Sequence, residues 1–389
     1  MEEKKTRKKT NSIIRTIVIV TLAVLIAVFG ALYAVSRTVA RVQLSNLADA
    51  FDAFSAKDSS AFPYVTDAGA VVRMVSIGSG IGVLRTDKLE ILTASGAVLQ
   101  SVRHTYTMPA LDEHGGRVLL YDRGGTRYML LSKTKTLYTG ETEKPILTAA
   151  LSEDGRFAVA TTSDNAKSLL TVYESSGEAF FQYKCVAEYV TDIAFTQEGV
   201  ALTVTGVKDA ASYSRLLTLH FKKTEPAADV MYKDMTLFHV SCSGSTVMAC
   251  GDSAIETLRH NQQQPDQSFG SDTLQFFCSE AGGKATLVLL TYGNEHRTHL
   301  RGFRRNGEID FDADCRQKLI DASRSDTYTC VLTDGAVLTY NNSGSQVGKL
   351  TLTQAAQKIC VSGRMVYVLF NDHIEPFPAA GDHTQKTAG

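Results

Sequence analysis

From residue 70 onward the chain carries no run of apolar positions at helical spacing. Short apolar stretches instead alternate with turn residues. One phrase, LLTVYESSGEAFFQ at 169–182, returns as LEILTASGAVLQS, HLRGFRRNGEIDFD and VLTYNNSGSQVGK, with turn glycines at Gly96, Gly177, Gly307 and Gly344. Looser versions lie around Lys133, Lys223 and Gln263. A second phrase, SEDGRFAVATTS at 152–163, has seven relatives. Its turns fall near Gly80, Gly116, Gly155, Gly199, Gly244, Gly283, Asp326 and Gly363, a period near 40 residues.

Each period therefore holds two β-hairpins, or four short strands. Four antiparallel strands repeated at about 40 residues predict an all-β fold, a β-propeller of four-stranded blades. A lone blade leaves both faces wet, and stacking around an axis buries them. Eight turns of the second kind give eight blades. Seven is the alternative, if the first or last unit is a partial copy shared at the closure. The last unit has strands near 358–361, 364–370 and 373–377 and lacks its outermost one. Residues 62–65 are expected to supply it, removing a free edge.

The N-terminal pattern is different. Ile17 to Val35 is an uncharged apolar run of 19 residues. At about 1.5 Å per residue it is long enough to cross a bilayer and long for a cleavable signal, so it predicts an uncleaved single-pass anchor. Ala40, Leu44, Leu47, Phe51 and Phe54 then share one helical face, which docks on the following domain or pairs with a second copy. The expected layout is a basic cytoplasmic tail at 1–16, the anchor at 17–35 and a helical stalk and linker at 36–60. The propeller ectodomain follows at 61–378, with a polar tail at 379–389.

Charge supports this orientation. Residues 1–16 carry six basic residues against Glu2 and Glu3, so they hold +4 of a chain whose total is −1. The positive-inside rule places them in the cytoplasm and the remainder outside, at the plasma membrane. A mildly acidic remainder argues against a nucleic-acid partner.

The seven cysteines are an odd number without a C-x-x-C, which excludes zinc-ribbon and thioredoxin-type chemistry. Most read as small buried hydrophobes, with Cys242 and Cys250 the pair best placed to bridge. Asp310, Asp312, Asp314 and Asp321 occupy positions 1, 3, 5 and 12 of a calcium-loop template. Cys315 stands where that template needs glycine. The alternative is an outer strand with Ile309, Phe311 and Ala313 inward and the aspartates in solvent. His296 and His299 lie three apart without a third ligand type nearby, and read as loop residues. GSGIG at 78–82 and GGKAT at 282–286 read as hairpin turns, since no helix follows to hold a phosphate. No G-x-S-x-G and no H-E-x-x-H occur. No catalytic, cofactor-binding or metal residue is assigned, and no cofactor is expected.

SEDGRFAVA looks like the S-x-D-G-[KR]-[FY] hairpin of many propellers. Residues 70–378 resemble the WD40-like and quinoprotein-like superfamilies in fold. The chain contains no tryptophan, whereas those families use a Trp-Asp dipeptide or repeated docking tryptophans. The full layout is similar to an uncharacterised family of clostridial single-pass membrane proteins, which implies no particular catalytic residue. The expected function is a binding or scaffolding module of the cell envelope with a protein or envelope-ligand partner. The alternatives are a cell-surface hydrolase or lyase, expected to show a funnel lined by carboxylates, and a structural subunit of a membrane complex. The subunit would show an exposed apolar rim, for which Phe303, Arg304 and Arg305 are candidates.

Overall fold

A computed structural model describes residues 62–385, apart from 67–69, 280–284, 293–296, 305 and 316, and gives the backbone alone for 279, 285–292 and 297. The expected tail, anchor and stalk lie outside these residues. Among the described residues no helix is long and apolar enough to cross a membrane.

The described strands form eight separate sheets, and no helix occurs among them. In chain order the sheets span 71–103, 109–141, 146–185, 188–233, 237–268, 273–315, 319–351 and 358–378. Within each, successive strands pair antiparallel from the innermost outward. The described hairpin turns fall where the glycine periodicity puts them, and that near Gly283 lies outside the described residues.

Eight hydrophobic clusters join these sheets pairwise. Val75, Leu89 and Val118 link the first and second, and Cys330, Ile359 and Val368 link the seventh and eighth. Met74, Ile81, Tyr367 and Ile374 link the eighth back to the first, so the ring is closed, as in a β-propeller. Second strands are covered on both faces: Gly80–Arg85, Arg117–Asp122 and Thr246–Gly251 are buried throughout. This is why they read as continuous apolar runs rather than as alternation.

Both termini engage this closure. Tyr64 and Val65 pair with Ile374 and His373 as the outermost strand of the eighth sheet, as the sequence predicts. Phe62 packs on Tyr367 with ring centroids 5.7 Å apart. The C-terminal segment differs from the expected tail, because Gly381–Thr384 runs parallel to Gln346–Thr351 as a fifth strand of the seventh sheet. Gln385 fixes it by accepting from Thr353 N and Oγ1, each at 3.0 Å.

The recurring turn glycines have a common cause. All four have positive φ, and a side chain of the preceding sheet or of the closing segment fills the space of a Cβ. Phe62 presses on Gly96, Tyr138 on Gly177, Thr257 on Gly307 and Phe311 on Gly344.

Candidate functional site

The innermost strands enclose a central cavity of about 570 Å3. Each is the edge of its sheet, so its outward N–H and C=O groups need partners from elsewhere. Side chains of the preceding sheet supply several. Leu151 N donates to Asp112 Oδ2 at 2.7 Å, Val240 N to Asp192 Oδ2 at 3.0 Å and Ile359 N to Asp321 Oδ2 at 2.9 Å. Val361 N donates to Ser323 Oγ at 3.0 Å, and Arg73 Nη1 to Leu111 O at 3.3 Å. Asp321 and Ser323 advance with Ile359 and Val361, so neighbouring inner strands run in one direction.

Burial pushes the Asp112 carboxyl up to about 6, opposed by the Leu151 N–H, with Asp192 nearby adding to the rise. Burial likewise raises Asp321, against the Ile359 N–H and Lys358. Asp192 also lies 2.7 Å from His239 Nδ1 through the same Oδ2, and the His239 ring packs on Phe277 at 4.7 Å. His239 Nε2 and Ser241 Oγ, two residues further along that strand, are buried without hydrogen-bond partners. They are therefore not bonded to each other, and no Ser-His-Asp relay exists there.

The calcium-loop template is taken apart by the fold. Residues 309–315 form a strand, whereas Asp321 stands on the cavity wall in the next sheet. Asp310 turns inward to Arg324, and Ile309 is exposed, the reverse of the expected pattern for both. Asp312 and Asp314 do point outward, and Phe311 is buried. Asp312 meets His299 Nε2, whose Nδ1 lies 3.7 Å from Asp272. His296 lies outside the described residues. Among the described residues no group of three or more His, Cys, Asp or Glu side chains has metal-holding geometry.

The seven cysteines form no disulfide with one another. The expected Cys242–Cys250 bridge does not form, because Cys242 stands opposite Val247 and Cys250 opposite His239. Burial raises both thiols well above their ordinary range. Phe303 is fully buried between the fifth and sixth sheets, so it forms no part of an exposed rim; Arg304 is exposed and Arg305 lies outside the described residues.

Exposed large hydrophobics do occur elsewhere. Among the described residues, the exposed large hydrophobics Val65, Val72, Met108, Val186, Tyr189, Val207 and Ile320 all lie at the end where the inner strands begin. Val186 and Val207 are each 72% exposed. The remaining four, Val98, Phe180, Met231 and Ile309, sit on outermost strands, and none lies on a turn of the opposite end. Val207 crowns the hairpin of Gly199–Lys208 and Ala211–His220, whose ten-residue strands outreach their neighbours.

The sequence reading missed the cavity aspartates. The signal was available: in ALDEH, VTDIAF and LIDASR a carboxylate stands next to apolar residues of an inner strand.

Among solved structures, a eukaryotic initiation factor is similar at 12% identity, covering 83% of this chain and 89% of that chain, with a TM-score of 0.53. BamB from Moraxella catarrhalis is similar at 11% identity, covering 82% and 100%, with a TM-score of 0.48. Hsv2 from Kluyveromyces lactis is similar at 12%, covering 69% and 93%, with a TM-score of 0.45. Identities this low bear on fold alone. No curated protein matches the chain. The family of unknown function DUF5711 matches residues 59–376, and the chain belongs to that family.

Proposed function

We propose that the chain is a single-pass membrane protein displaying an eight-bladed propeller outside the cytoplasm, where it serves as a binding or scaffolding module of the cell envelope. The observation that carries this reading is the gathering of exposed apolar side chains on one end of the ring. Apolar groups collected on one face favour burial against a protein partner. Loops on a rigid ring can form such a surface without disturbing the stacked sheets. The same observation favours a subunit of a larger membrane assembly. A hydrolase or lyase has weaker support, because Asp112, Asp192 and Asp321 each already accept a backbone N–H.

The membrane part of the reading rests on the apolar run 17–35 and the basic residues before it. Protease added to intact cells should cut the ring domain and spare the Lys-rich tail. Protection of the ring with loss of the tail would reverse the orientation. The binding role is tested by cross-linking the full-length anchored protein in its own cells. A reproducible envelope partner, lost when Val186 and Val207 become aspartate, is expected. Recovery of the protein alone would contradict the scaffold role.

A further inference from the structure

The seventh sheet differs from the others at its outer edge. Among the described residues it is the one sheet with a strand beyond its fourth position, since in the fifth sheet 262–263 and 267–268 share that position. The added strand, Gly381–Thr384, pairs Gly381 with Gly348, Asp382 with Lys349, His383 with Leu350 and Thr384 with Thr351.

An outer edge offers N–H and C=O groups that any extended chain can take up. This edge selects further. A Cβ on Gly348 would stand 2.6 Å from Ala379 O and 3.0 Å from Gly381 O, so the glycine admits an incoming backbone at close range. Leu350 belongs to the apolar cluster that joins the seventh and eighth sheets, while Lys349 is exposed on the other face. Beyond the strand, Thr353 N and Oγ1 both donate to one acceptor.

The chain's own segment meets these features in part. Asp382 stands beside Lys349, Gln385 Oε1 accepts from Thr353, and Gln385 N donates to Thr351 O at 2.9 Å. Beside Leu350, however, it places His383, whose Nε2 turns back to donate to Ala380 O at 3.0 Å. Gly381, Asp382 and Thr384 are exposed. Four residues in parallel pairing, without an apolar side chain, rest on backbone bonds and one glutamine. Few buried apolar contacts place such a strand among the first to open.

We propose that the Gln346–Thr351 edge is a strand-addition site for an extended segment of a partner protein, and that residues 381–385 are its displaceable internal occupant. The partner segment carries an acidic residue beside Lys349 and an apolar one beside Leu350. The site shares no residue with the exposed apolar end, so either assignment stands if the other fails.

The test is fluorescence anisotropy with three labelled peptides: residues 381–389, their His383→Leu form and a scrambled form. They are titrated against the full-length protein, its Gln385→Ala variant and a chain ending at Ala380, which keeps the buried Ala379. The shortened chain should bind the first two peptides, the His383→Leu form at least fivefold tighter, and not the scrambled one. The full-length protein should bind at least tenfold more weakly, because its own segment competes at high effective concentration, with Gln385→Ala in between. Gly348→Ala in the shortened chain should abolish binding. Thermal melting confirms that each variant folds. If the shortened chain does not melt cooperatively, Gln385→Ala decides alone: it should bind the His383→Leu peptide more tightly than the wild type, and its amides at 381–384 should exchange faster. No binding to a folded shortened chain, equal affinity with and without residues 381–389, equal affinity for the scrambled peptide, or a Gln385→Ala variant unchanged in both readouts would each overturn the proposal.

Discussion

Arg324 and Asp310 form an ion pair buried between the sixth and seventh sheets, Nη2 donating to Oδ2 at 2.5 Å with 2% and 5% of the side chains exposed. The guanidinium also lies over Phe311, 5.0 Å from the ring centroid. A Cβ on Gly302 would overlap Arg324 Nη1 and the Phe311 ring. Removing Asp310 leaves a buried charge without its counter-ion, so Asp310→Ala should cost ~3–5 kcal/mol in denaturant unfolding. Asp310→Ala with Arg324→Leu should recover most of that loss, because no charge then remains to be solvated. Gly302→Ala should cost ~1–3 kcal/mol by overpacking.

The turn glycines separate backbone strain from crowding. Gly177 has φ +88° with the Tyr138 ring in the place of a Cβ, whereas Gly244 has φ +59° with nothing within 4 Å. Gly244→Ala should cost only the left-handed penalty, ~1–2 kcal/mol. Gly177→Ala adds overpacking of ~1–3 kcal/mol to the same penalty. Equal losses for the two would mean that Tyr138 does not set the turn.

Asp112 gives a pH signature. Its folded value of about 6 lies above the ordinary 3.8, so the folded state holds its proton over the interval in which the unfolded chain has lost it. Its contribution to stability is complete below the unfolded value and is lost as pH rises through about 6. Unfolding free energy followed from pH 4 to about 7 should fall less steeply in Asp112→Asn than in the wild type. The raised Asp321 should leave a residual slope of the same sign.

Closure by the N-terminal strand predicts a local effect. Phe62 packs on Tyr367 and beside Gly96, and Tyr64 pairs with Ile374. Phe62→Ala removes an aromatic that is only partly covered, so its cost should fall below the ~3–5 kcal/mol of a fully buried phenylalanine. Hydrogen exchange should quicken first in the eighth sheet, at His373 and Ile374. Uniform quickening around the ring would show that this strand does not close it.

The repeat and its closure were legible in the sequence because each rests on local chemistry. A turn needs a glycine at a fixed offset, and a buried second strand needs an apolar run, so Gly96, Gly177, Gly307 and Gly344 marked the period without any alignment. What joins the sheets was not legible. Asp112 and Leu151 are 39 positions apart, and Arg324 meets Asp310 across a sheet boundary. In an alternating strand pattern Asp310 reads as solvated, because nothing local reports that a buried arginine approaches it from the next sheet. The C-terminal strand was missed for a similar reason. GDHT carries no apolar residue, and its place depends on the open edge at Gln346–Thr351 and on Gln385. The apolar end is assembled from Val65, Met108, Val186, Val207 and Ile320, single hydrophobics that are unremarkable in their own segments and are gathered only by the ring.

The most direct test of the account is quantitative cross-linking in native membranes of the full-length protein against its Val186→Asp, Val207→Asp variant, with thermal melting of both. Both positions are open to solvent, so the melting temperatures should agree. The account predicts that the cross-linked envelope partner falls at least tenfold in the variant. An undiminished partner on the variant, or no partner on either protein, would contradict the assignment of this end as the binding face.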